Sequence, residues 1–188
     1  MSGNISSMTE STKPPVFGDQ REMLIAFNDL QRKNLLWKLD GLTEEQLREK
    51  HQPSGMSLLG LLKHLVRVEQ TWFAARLMGE ATDGESYTDE AWLPTTEETF
   101  PYIREKYLQA IQRSNEIASE LPLDQEVTTS GSSGENVTLQ WVLFHMIEET
   151  ARHLGHADFI RESLDGATGV NAEHEANRQR RAENDQVS

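Results

Sequence analysis

The residues best suited to chemistry are histidines, and they cluster. The chain has six, and four of them, His64, His145, His153 and His156, fall in two segments with helical spacing. At ~100° per residue, His145, Glu149, His153 and His156 lie within roughly 80° of one another and form one polar stripe on a helix. A carboxylate and an imidazole four residues apart have their bases about 6 Å from each other, so Glu149 and His153 can reach one ion. His64, at the edge of an apolar face made by Leu61, Leu65 and Val68, is the natural third ligand. Each member also has a plainer reading. His64 alone fits a hydrogen-bonded boundary residue, and Glu149 with His153 fits an ordinary helix-surface pair. His51 and His174 fall in expected loop and tail and read as solvated. The letters exclude other metal patterns: no histidine has a glutamate three positions before it, as a di-iron carboxylate bundle needs, and His-Glu-x-x-His is missing. The glycine-rich nucleotide loops are missing too.

These residues need elements to hold them. Met23, Leu24, Phe27, Leu30, Leu35 and Leu36 recur mostly at three- and four-residue intervals, which predicts a first long helix from Asp19 to Leu39. Thr43-Glu-Glu-Gln46 is a capping box that opens a short helix to about Lys50. Ser57 is placed to cap a second long helix carrying Leu58, Leu61, Leu62, His64, Trp72 and Phe73 and ending near Gly79. Residues 80–93 are polar and read as a loop, although Tyr87 and Trp92 within it should pack onto something. Thr95-Thr-Glu-Glu98 is another capping box, and a third helix is expected from there to about Glu120, with Pro101 in its first turns and Pro122 ending it. Thr129-Ser-Gly-Ser-Ser-Gly134 reads as a flexible connection. Thr138 then caps a fourth long helix through Leu164, with Gly166 beyond its end. Trp141, Val142, Phe144 and Ile160 are expected to give the histidine stripe apolar surroundings.

Four amphipathic segments of similar size, without an alternating strand or a repeat, predict an all-α four-helix bundle with no sheet. The expected organisation is a flexible arm over 1–17, the bundle over 18–170 and a charged tail over 171–188. With 188 residues, 36% of them hydrophobic and 26% charged, the chain can build one real core. A net charge of −13 opposes binding to nucleic acid or to an anionic membrane, since both need clustered Lys and Arg. The opening MSGNISSMTESTKPP has neither a basic start nor an apolar run, and no stretch is long enough to span a bilayer, so a cytoplasmic location is the expectation. No cysteine is present, which removes disulfides, thiolate ligands and a cysteine nucleophile. Any thiol chemistry must use a thiol from outside.

Two long stretches, SGMSLLGLLKHLVRVEQTWF and LQWVLFHMIEETARHLGHADFIRESLDGATG, resemble the signature helices of the DinB-like superfamily, in its branch of functionally undefined proteins. GDQREMLIAFNDLQRKNLLWKLDGLTEEQL fits as well, so the likeness runs from about Gly18 to Gly169. The resemblance implies a four-helix bundle in which a histidine of the second helix and a pair spaced by four on the last helix hold one divalent ion. Many members use three histidines. The mycothiol-dependent maleylpyruvate isomerase-like members use His, Glu and His, and His64, Glu149 and His153 are similar to that set. Where many members read His-Arg-Gly-Gln, this chain has His153-Leu-Gly-His156. His156 is therefore a candidate fourth ligand, a hydrogen-bonding neighbour of a ligand or part of a substrate wall. His145, one turn before Glu149, could orient that carboxylate or simply pack between helices.

Three N, O and N ligands leave a zinc position open, as at catalytic sites, and two imidazoles with a carboxylate suit zinc or nickel better than calcium or magnesium. The resemblance implies an enzyme working with a low-molecular-weight thiol such as mycothiol or bacillithiol and an electrophilic substrate: a thiol S-transferase or a thiol-assisted isomerase. Related bundles often pair as homodimers. The competing reading is a non-catalytic metal-binding bundle with a structural or protein-interaction role, and a closed site including His156 would favour it. Arg67 and Arg152 could each meet an anionic group, though a solvated or salt-bridged arginine is the plainer account.

Overall fold

The computed structural model describes residues 14–82, 92–128 and 136–169. Most of the expected arm and tail, Tyr87 and the Thr129–Gly134 connection lie outside them. Four helices make the bundle: α1 (Gln20–Leu39), α3 (Leu58–Glu69, extended by Gln70–Leu77 in π-helical form), α4 (Phe100–Glu120) and α5 (Leu139–Asp165), with a short α2 (Glu44–Arg48) between the first two. α1 packs chiefly on α5, and α3 on α4. A small antiparallel ladder, β1 (Glu126–Thr128) with β2 (Asn136–Thr138), leads into α5. Three residues per strand are too few for alternation to register in the letters, so the expectation of no sheet holds for the architecture but not for this connection.

The helix starts follow from local chemistry. Asp19 accepts from Glu22 N, Ser57 from Gly60 N and Thr138 from Trp141 N, each satisfying an amide that the first turn leaves free. Thr43 and Gln46 form the expected reciprocal box. Gly166 ends α5 at φ 75°, in the left-handed region that costs glycine nothing. α4 is the exception, since Thr95 and Glu98 do not open it. Glu98 Oε2 does accept from Thr95 N, and from Lys63 as well, but Arg48 donates to the carbonyls of Thr95 and Glu98. Those carbonyls are thereby held by side chains of other elements, and the helix begins at Phe100, whose N–H donates to Glu44 of α2 at 3.1 Å.

The core is built around α3, ten of whose twelve residues are buried. Leu58, Leu61, Leu62 and Leu65 meet Leu35 and Leu39 of α1 and Val142 and Met146 of α5 in one cluster. Two expectations about faces fail. On α1, Phe27 is exposed and Met23 and Leu30 are half-buried, while Asn28, Arg32 and Lys38 are buried. The polar residues turn inward because each finds a partner: Asn28 donates to the carbonyl of Leu143 on α5, Lys38 pairs with Asp158 at 2.6 Å, and Arg32 binds Glu69 through both oxygens at 2.7 Å. On α5, Trp141 and Phe144 are about half exposed, so of the apolar surroundings expected there only Val142 and Ile160 are interior.

Candidate metal centre

α3 carries His64 inward because the helix is enclosed nearly all round, so a histidine expected at the edge of an apolar face is buried instead. On α5 the buried positions Met146, Thr150, His153, Leu154 and Ala157 mark the inward face, which includes His153 and leaves Glu149 on its border. Packing of the two helices brings three donors together. The Nε2 atoms of His64 and His153 lie 3.2 and 3.1 Å from one oxygen, Oε1 of Glu149. One ligand atom from each residue lies within 4.8 Å of the other two, and among the described residues these three form the cluster able to hold a metal ion.

The electrostatics favour a negative charge on Glu149 between the two imidazole rings. Hydrogen bonds from His153 and then His64 outweigh burial and hold the Glu149 carboxyl well below the usual carboxylate range. Burial lowers His64 below the ordinary histidine value, against the pull of its bond with Glu149. The separations also suit a cation: two ligands each ~2.1 Å from a tetrahedral ion stand about 3.4 Å apart, close to the two His–Glu distances. Two imidazoles and a carboxylate are the donor chemistry of an N, O, N site.

His156 and His145 flank this centre without joining the cluster of three. The His156 ring meets His153 edge to face at 5.5 Å, and the Nδ1 atoms of both rings are buried with no hydrogen-bond partner among the described residues. His145 stacks on Trp141 at 5.1 Å and meets the edge of Trp72 at 4.5 Å. Burial lowers its proton affinity, while the charge of Glu149 pulls the other way. Arg152 forms a surface ion pair with Glu148, as its plainer account has it. The charge of Arg67 is among the influences that lower His64. His51 lies outside the centre and contacts Ser163.

Trp92 belongs to the site, and spacing could not assign it. Its ring lies face to face on His64, centroids 3.7 Å apart and planes 9° apart, and 5.5 Å from His153. The available signal was an aromatic residue in a polar loop, which announces burial but not against what.

An all-helical bundle with a His/Glu/His cluster between its second and last long helices defines a protein of the DinB-like class. The chain matches the family model described as mycothiol-S-transferase (MST) over residues 23–166, and it belongs to that DinB-like family of metal-dependent thiol transferases. The family indicates a transferase, so of the two activities the resemblance implied, transfer is the one membership supports. No curated protein matches the chain. Among the described residues, no helix is long and apolar enough to cross a membrane.

Proposed function

We propose that this protein transfers a thiol, mycothiol in the first instance, to an electrophilic small molecule, with His64, Glu149 and His153 holding one divalent ion, zinc or nickel. The observation that carries the reading is the convergence of two Nε2 atoms and one carboxylate oxygen at 3.1 and 3.2 Å, in a chain of this family. Without a cation, the two Nε2–H groups donate to Oε1. With one among them, His64 and His153 carry their protons on Nδ1 and present the Nε2 lone pairs, while Glu149 supplies the offsetting charge. Such an ion, when bound, would lower the pKa of a thiol so that the sulfur is anionic at neutral pH. The reaction then forms a carbon–sulfur bond: the attacked carbon either loses its leaving group, which departs with its electron pair and is balanced by the thiol proton, or gives its double-bond electrons to the neighbouring atom, which takes up that proton. Trp92 covers the His64 ring, and the chain's lack of cysteine leaves the outside thiol no partner for a mixed disulfide within it.

In this reading His156 stays outside the ligand set and His145 serves as packing beside Trp72 and Trp141. A homodimer and a cytoplasmic location complete the proposal. The half-exposed rings of Phe27, Trp141 and Phe144 offer apolar surface for a dimer. Glu149→Gln tests the centre, because it keeps the shape but removes the charge. The expected result is a loss of metal affinity of about tenfold or more with helix content unchanged. Full metal occupancy in Glu149→Gln, or a native protein that takes up no metal on reconstitution, overturns the assignment.

A further inference from the structure

A cleft of about 410 Å³ opens beside the first turn of α3, lined among others by Lys50, Ser54, Met56, Ser57, Trp92 and Leu93. Its size falls within the roughly 300–1,000 Å³ of small-molecule sites. Its lining is mixed. Met56, Leu93 and the indole are apolar, whereas Lys50 brings an ammonium and Ser57 a hydroxyl; the Ser54 hydroxyl is taken up by the carbonyl of His51 and the N–H of Met56. Ser57 already accepts from Gly60 N, which leaves its O–H to donate.

Trp92 is shared between this cleft and the metal centre, since it lines the one and lies flat on His64 in the other. The segment that carries it is clamped. Arg48 donates to the carbonyls of Pro94, Thr95 and Glu98, and Lys63 donates to the carbonyl of Leu93 at 3.1 Å. The main chain of Trp92 also comes so close to α3 that a Cβ on Gly60 would stand 2.4 Å from its carbonyl oxygen. A wall fixed on both sides can hold a ligand in register with His64.

We infer that the cleft binds the polar, hydroxyl-rich body of the thiol cosubstrate, with Trp92 the positioning residue between that body and His64. The inference rests on the thiol-transferase reading above. An apolar electrophile would use only Met56, Leu93 and the ring, whereas a hydroxylated body meets the Ser57 O–H and the exposed Lys50 ammonium at the rim and lays its carbon–hydrogen face on the indole. The sulfur end of such a molecule then reaches past Trp92 toward the three donors.

The probe is S-methylmycothiol, which keeps the body but has no S–H to lose. Titrated calorimetrically into the full chain as purified, it is expected to bind. Met56→Trp, which fills the cleft, and Lys50→Glu, an exposed change that spares folding, should each weaken it by about tenfold or more with metal content unchanged. Trp92→Ala should weaken it likewise, and Trp92→Phe, which keeps a flat ring, should restore most of the loss. No binding to the native chain, or native affinity in both Met56→Trp and Lys50→Glu, overturns the inference. Binding that depends on the cleft while Glu149→Gln keeps its metal would sink the metal assignment and leave the cleft standing.

Discussion

Arg32→Met should destabilise the bundle by about 3–5 kcal/mol, the cost of leaving one member of a buried ion pair without its partner. The structure supplies the reason. Arg32 is about 1% exposed, and its Nε and Nη2 donate to the two oxygens of Glu69 at 2.7 Å while Nη1 donates to Asp29 and Asn115. Burial alone would lower its proton affinity, but the charge and hydrogen bonds of Glu69 more than reverse this, so the guanidinium is charged at any accessible pH. Methionine fills most of the same volume, so packing is nearly conserved and the loss is electrostatic. Glu69, itself about 1% exposed, would keep among the described residues the Ser114 hydroxyl alone, at 2.6 Å. For a domain of this size each kcal/mol is worth roughly 2–4 °C, so the melting temperature should fall by about 6–20 °C. Thermal and urea unfolding followed by circular dichroism at the helix band read both quantities. The double variant Arg32→Met/Glu69→Leu removes both charges and should recover most of the loss. A single variant that loses less than about 1 kcal/mol, or a double variant no more stable than the single, would refute the reasoning. The network matters to function because Glu69 closes α3 five residues after His64 and ties it to α1 and α4.

Two further outcomes follow from buried contacts. Burial and then the charges of Glu69 and Asp29 raise Tyr107 well above its ordinary 10.0, so its contribution is present below that pH and is lost as pH rises toward the folded value; Tyr107→Phe should flatten the alkaline fall in stability above about pH 10 in urea titrations, and an unchanged fall would contradict this. Its hydroxyl has no hydrogen-bond partner among the described residues, so the same change should cost almost nothing at neutral pH. Gly60→Ala should destabilise by about 1–3 kcal/mol and alter the near-ultraviolet dichroism of the Trp92 stack, because the new methyl meets main chain that is clamped; the gain in stability usual for Gly→Ala within a helix would show that the segment yields freely.

Much of this protein is set by rules that act within one helical turn, and those were legible in the letters. Thr43, Ser57 and Thr138 cap helices as side chains next to free amides must, Gly166 ends α5, and the four-residue step from Glu149 to His153 puts both on one side of that helix. What lies between elements was not legible to the same degree. His64 meets Glu149 across 85 residues, and spacing could only nominate it; the resemblance of the flanking segments supplied the pairing, and packing of α3 against α5 closes it. The inward turn of Arg32 reads from the sequence as a charge out of place, because Glu69, Ser114 and Asn115 stand on other helices. The start of α4 was misplaced because Arg48 holds the carbonyls of Thr95 and Glu98 that a helix opening there would use, even though Glu98 accepts from Thr95 N as the capping-box pattern has it. Trp92 shows the division most clearly. An aromatic residue in a polar loop must bury its ring somewhere, by the hydrophobic effect alone, but only tertiary packing decides that it comes to rest on His64.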